Sequence, residues 1–95
     1  MSVGILTLQI NLPGCKSLKE KRSRLKPLIN RLHHEFNVSV AEVDWQDKWD
    51  EAIIGCALIS NDHQFSQTAL QTIVHWLDKN WPDAMLVDDH IEIIN

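Results

Sequence analysis

Ninety-five residues with 13 acidic and 9 basic side chains, a formal net charge of -4, make a single domain spanning 1-95 and exclude a multidomain machine. A composition that is 44 % hydrophobic and 23 % charged, with three Gly and three Pro, excludes a disordered or fibrous chain; a chain of this length forms one modest core without metals or disulfides. No apolar run reaches the ~18 to 20 residues that a membrane span needs.

Met1 to Leu12 is apolar, but no positive charge precedes the run and no small-residue cleavage site follows it. No signal peptide is expected, and the expected location is cytoplasmic. Within this stretch Leu6, Leu8, Ile10 and Leu12 alternate with Thr7, Gln9 and Asn11, the pattern of a half-buried strand that Pro13 and Gly14 end. Ser17 stands three residues before Glu20 at capping-box spacing. Leu18, Leu25, Leu28, Ile29, Leu32 and Phe36 then recur with helical period, predicting a first helix over 17–36. Pro27 falls inside it, where a missing N–H and a ring clash predict a kink or a local break.

Val38 to Trp45 reads as a second strand whose apolar phase slips between Val40 and Ala41, the mark of a bulge or twist. The acidic stretch from Trp45 to Glu51, with Trp45 and Trp49, is a connection to Ala52–Ser60, a strand apolar on both faces and therefore central. Ser60, Asn61 and Asp62 are turn and N-cap residues before a second helix with the stripe Phe65, Ala69, Leu70, Ile73, Val74, Trp76 and Leu77, stopped between Asn80 and Asp83. In the last segment Met85, Val87, Ile91 and Ile93 oppose Asp88, His90 and Glu92, a fourth strand. The order β-α-β-β-α-β predicts an α+β, ferredoxin-like βαββαβ sandwich: a four-stranded antiparallel sheet with two helices on one face.

The net charge conceals a partition. Lys16, Lys19, Lys21, Arg22, Arg24, Lys26 and Arg31 are seven of the nine basic residues, with Glu20 alone opposing them, so residues 16–31 carry +6. The rest, with two basic and twelve acidic residues, carries -10. On a helical wheel Lys19, Arg22 and Lys26 flank one side of the Leu25 stripe, and Lys21, Arg24 and Arg31 the other. Two basic shoulders of this kind suit the phosphates of a nucleic-acid backbone; the plainer reading is a solvated helix surface whose long stems cover apolar edges.

Other chemistry has less support. Glu42, Asp44, Asp47, Asp50 and Glu51 are hard oxygen ligands, yet the run lacks the Gly and Glu positions of an EF-hand and reads as a wet turn between strands. The five histidines show no zinc spacing, so no metal is expected. Cys15 and Cys56 form no Cys-x-x-Cys pair and read as reduced thiols, Cys56 in the core and Cys15 near a helix start that favours a thiolate. Phosphate-binding glycine loops and a nucleophile elbow are missing, and no cofactor is expected. The RNA-recognition motif shares the element order, but Met1–Leu12 and Ala52–Ser60 contain neither the aromatic nor the basic residues on which that module stacks bases.

At Ser17-Leu18-Lys19-Glu20-Lys21-Arg22, and again at Phe36-Asn37-Val38-Ser39-Val40-Ala41-Glu42-Val43-Asp44, the chain resembles the small bacterial YlxP-like family, a domain of unknown function. The match continues through Gln46-Asp47, Trp49, Ala52, Gly55 and Ser60-Asn61-Asp62, over nearly the whole length. Pro27 and the tryptophan-rich turn depart from the family pattern. The resemblance implies a ferredoxin-like fold and a cytosolic bacterial protein whose relatives tend to be encoded near translation-initiation and ribosome-maturation genes. It implies no established activity.

Residues and resemblance together lead to the expectation of a non-catalytic module that meets ribosomal RNA or ribosomal proteins through the seven cations. The alternative is a self-associating protein, a homodimer covering the apolar sheet face. A small enzyme using Asp44, Asp47 or Cys15 ranks third, since no nucleophile and base are paired by motif.

Overall fold

A computed structural model describes residues 1–94. The elements run β1 (Ser2–Asn11), α1 (Leu18–Phe36), β2 (Ser39–Asp44), β3 (Glu51–Ser60), α2 (His63–Asn80) and β4 (Met85–Ile94). All strand pairs are antiparallel, in the order β2-β3-β1-β4, and both helices pack on one face. The ferredoxin-like βαββαβ expectation holds.

β1 is central because its alternation is complete: Ser2, Gly4, Leu6, Leu8 and Ile10 are buried under the helices, while Val3, Ile5, Thr7, Gln9 and Asn11 face the other way and are half-buried. The register sets Leu6 beside Cys56 and Leu8 beside Ile54, so two inward rows form one floor. Leu25, Leu28 and Leu32 of α1 and Leu70, Ile73 and Leu77 of α2 close the core above it. Each fully buried aliphatic side chain of this kind contributes about 1.5–3 kcal/mol of transfer free energy, an upper bound that chain entropy opposes. Gly4 lets α2 approach, for a Cβ there would lie 2.9 Å from Leu70 Cδ1.

α1 begins where Ser17, in extended conformation, accepts the Glu20 backbone N–H at 3.1 Å, and it ends at Asn37 in the left-handed region. It continues unbroken through Pro27. Pro27 and Ser23 are both exposed, so the Ser23 carbonyl, which loses its helical donor to the proline ring, lies on the solvent side. α2 is capped in the same way by Asp62, whose side chain accepts from the Gln64 N–H at 3.0 Å.

Two expectations are corrected by the strand register and a third by the packing of α2. The irregularity of β2 lies between Glu42 and Asp44 instead of between Val40 and Ala41. A second one, against β4 between Gln9 and Ile10, shifts the phase of the last strand. Leu86 therefore packs inward, whereas Met85 and Val87, assigned to the apolar face by alternation, are exposed. Phe65 leaves the α2 stripe and is 60 % exposed; the buried position at that turn belongs to Ser66, which bonds Ser60 Oγ at 2.7 Å and Ser2 Oγ at 3.2 Å.

Candidate functional site

The basic helix does not present seven free cations. Lys21 is 2 % exposed and takes the first position of the inward stripe completed by Leu25, Leu28 and Leu32. Its ammonium donates to the Trp45 carbonyl at 2.7 Å and to the Lys48 carbonyl, and meets Glu42 Oε2 at 2.7 Å. Two hydrogen bonds to carbonyls and one ion pair to a carboxylate are what make burial of the ammonium tolerable. Lys21 is therefore withdrawn from the nucleic-acid-binding set: its charge is spent on docking the β2–β3 connection against α1.

Arg24 is also committed inside the molecule. Its Nε and Nη2 donate to both carboxylate oxygens of Asp83 at 3.0 Å, Nη2 reaches the Asp83 carbonyl at 2.7 Å, and Nη1 donates to the Pro13 carbonyl at 2.9 Å. The bidentate bond to Asp83 pushes the guanidinium pKa further up. This correction has the same physical cause as the first, since a fork filled by carboxylate and carbonyls has no donor left for phosphate. Arg31 is exposed, with its guanidinium 5.7 Å from the centroid of the Trp76 ring, which packs edge-on against Phe36 and tilted against Trp81.

The shoulder formed by Lys19, Arg22 and Lys26 does survive. These residues and Lys16 are exposed, and among the described residues none takes part in an ion pair. Spaced three and four apart, positions 19, 22 and 26 share one side of α1 over ~10 Å of helix. Arg22 and Lys26 border a groove between α1 and β2 of about 300 Å³, lined also by Leu25, Ile29 and Glu42. A cationic rim over an apolar floor can hold phosphates by charge while its walls keep water off one side.

Lys21 ties the β2–β3 connection to α1. Trp45 adopts a left-handed backbone, φ 62°, with its N–H on Asp44 Oδ1 at 2.8 Å, and Lys48 Nζ lies 4.1 Å from its ring centroid. Trp49 projects into solvent. The acids of this turn do not converge: no group of three or more His, Cys, Asp or Glu gathers as a metal site among the described residues. Cys15 is buried, its Sγ 3.5 Å from the Ser17 carbonyl. Burial pushes the Cys56 thiol up to about 12, so it is a neutral core group.

The partners Glu42, Asp83 and Trp76 escaped the reading of the sequence, since each lies at least 21 positions from its cation. One local signal was available for Lys21: positions 21, 25, 28 and 32 follow the i, i+4, i+7, i+11 rhythm of a buried stripe.

Comparison with known proteins agrees with this architecture. A solution NMR structure of a de novo designed protein with ferredoxin fold superposes with a TM-score of 0.53 at 12 % identity, covering 97 % of this chain and 85 % of that one, a likeness of fold alone. The uncharacterized protein YlxP of Bacillus subtilis (strain 168) is 37 % identical over 62 residues, 65 % of this chain and 67 % of that protein. The model of DUF503, a protein family of unknown function, matches residues 3–91. With that match spanning both helices, β2, β3 and all of β1 but Ser2, the chain belongs to the DUF503 family.

Proposed function

We propose that this chain is a non-catalytic module that binds RNA or a ribonucleoprotein through Lys16, Lys19, Arg22 and Lys26, with Arg31 further along the same helix, in ribosome assembly or translation. The observation that supports it is the exposed shoulder of unpaired cations on an otherwise anionic body. Lysine and arginine side chains that had only a structural task would be expected to find carboxylates, as Lys21 and Arg24 do, because acids outnumber bases in this chain. A ridge of this size reads no sequence; it supplies backbone affinity and orientation. The relatives' gene neighbourhood, implied by the resemblance at Ser17–Arg22 and Phe36–Asp44, points to ribosomal RNA.

Filter binding to ribosomal RNA across a salt series is the direct test. Four phosphate contacts to single-stranded RNA give a slope of log K against log salt near about -3. Arg22→Glu with Lys26→Glu should abolish most of the binding while Lys21→Met leaves the slope unchanged. Affinity that ignores salt, or that survives the double charge reversal, refutes the proposal.

A further inference from the structure

Among the described residues nothing covers the sheet face opposite the helices, and its chemistry differs from that of α1. The register places Ile59, Val3 and Ile94 side by side in one row, and Ala57, Ile5 and Glu92 in the next. Val43 lies over Gly55, where a Cβ would come within 2.9 Å of its Cγ1, and with Ala41 it extends the apolar band onto β2. Ile59 is 71 % exposed, Val43 54 % and Ile94 44 %, too much for side chains that a monomer buries on its own account. On the β4 flank Asp88 and Glu92 pair with Gln9 and Ile5 of β1, so their side chains stand on this same face with His90 between them. None of the four strands contains a lysine, an arginine, a phenylalanine or a tryptophan.

We infer that this face is a docking surface for a cationic amphipathic helix of a partner protein. The band across β2, β3 and β1 is two strand spacings wide, ~10 Å, about the diameter of an α-helix. A helix lying along it sets its apolar stripe on Val3, Ile5, Ala57 and Ile59. Lysine or arginine stems on its flank reach one strand further, to Asp88 and Glu92. Charge excludes the other occupants. Carboxylates without a cation or an aromatic ring repel an RNA strand. A second copy applied face to face has no basic residue on its strands to meet the acids, so their desolvation goes uncompensated. The surface is distinct from the α1 ridge and does not depend on RNA binding there.

The test uses isotope-labelled protein and a Leu/Lys amphipathic peptide of about five helical turns, with its Leu/Glu counterpart as control. The Leu/Lys peptide should shift the amide resonances of Val3, Ile5, Ala57, Ile59 and Glu92, and the Leu/Glu peptide should not. Asp88→Lys with Glu92→Lys should weaken binding about tenfold or more, and Ile59→Ala should weaken it too, while reversal of Glu35 and Asp78 on the helices should change it less than about twofold. Thermal melts establish that each variant is folded. Equal binding of both peptides overturns the inference, as do shifts confined to other surfaces or an equal loss from the helix reversals. So does a light-scattering dimer that Ile59→Glu dissolves, which would give the face to a second copy.

Discussion

Lys21 of α1 meets Glu42 of β2 at 2.7 Å, a cation in the innermost row of a helix whose Lys19, Arg22, Lys26 and Arg31 face solvent. The contact also carries the carbonyls of Trp45 and Lys48, so one ammonium fixes the path of the whole β2–β3 connection. Replacing Lys21 by Met removes both hydrogen bonds and the ion pair at once and strands a largely buried carboxylate. The expected loss is about 3 kcal/mol of unfolding free energy in a urea titration. Adding Glu42→Leu should return part of it, because the stranded acid is then gone; a double variant no more stable than Lys21→Met would show that the unpaired acid costs nothing.

Arg24 and Arg22 are two positions apart and should behave oppositely. Arg24→Ala opens the clasp from α1 to Asp83 of the α2–β4 connection and to Pro13 of the β1–α1 connection, and an expected cost of about 1–2 kcal/mol should be read in thermal melts, less in high salt. Arg22→Ala should leave the melt within about 0.5 kcal/mol of the parent and lower RNA affinity instead.

Two glycines of the sheet separate core from surface. Gly4→Ala drives a methyl against Leu70 Cδ1 at 2.9 Å and Ser66 Cβ at 3.4 Å, both residues fully buried, and overpacking there should cost about 1–3 kcal/mol. Gly55→Ala meets Val43, which is half exposed and free to swing outward, so its cost should be the smaller of the two in the same denaturation assay. A larger loss at Gly55 would mean that Val43 is held by something on the open face.

Alkaline titration should reveal Cys56. The folded thiol ionises only at about 12 against an ordinary 9.0, so the unfolded chain releases its proton first. The contribution is fully present below pH 9 and is lost as pH rises toward 12. Urea midpoints for the parent and Cys56→Ala should therefore converge between these limits, whatever the methyl-for-thiol change costs at neutral pH.

The sequence by itself determined the element order, the strict alternation of β1, the caps at Ser17 and Asp62, and the apolar third strand, because each of these is a local pattern with a period of two or of about 3.6. It also determined that seven of the nine cations fall within residues 16–31, on the first helix and just before it. Tertiary structure alone decided which of them are free. Lys21 is neutralised by Glu42 and the β2–β3 connection, Arg24 by Asp83 at a separation of 59 residues, and Arg31 stands at Trp76, 45 positions away. The slip in β2 showed in the sequence as a phase break but at Val40–Ala41, short of its true place between Glu42 and Asp44, and the slip against β4 left no local mark, since a bulge depends on the partner strand as well as on the residues that form it. Charge can be counted along a chain, but its availability depends on distance in space, and only the folded contacts set that distance.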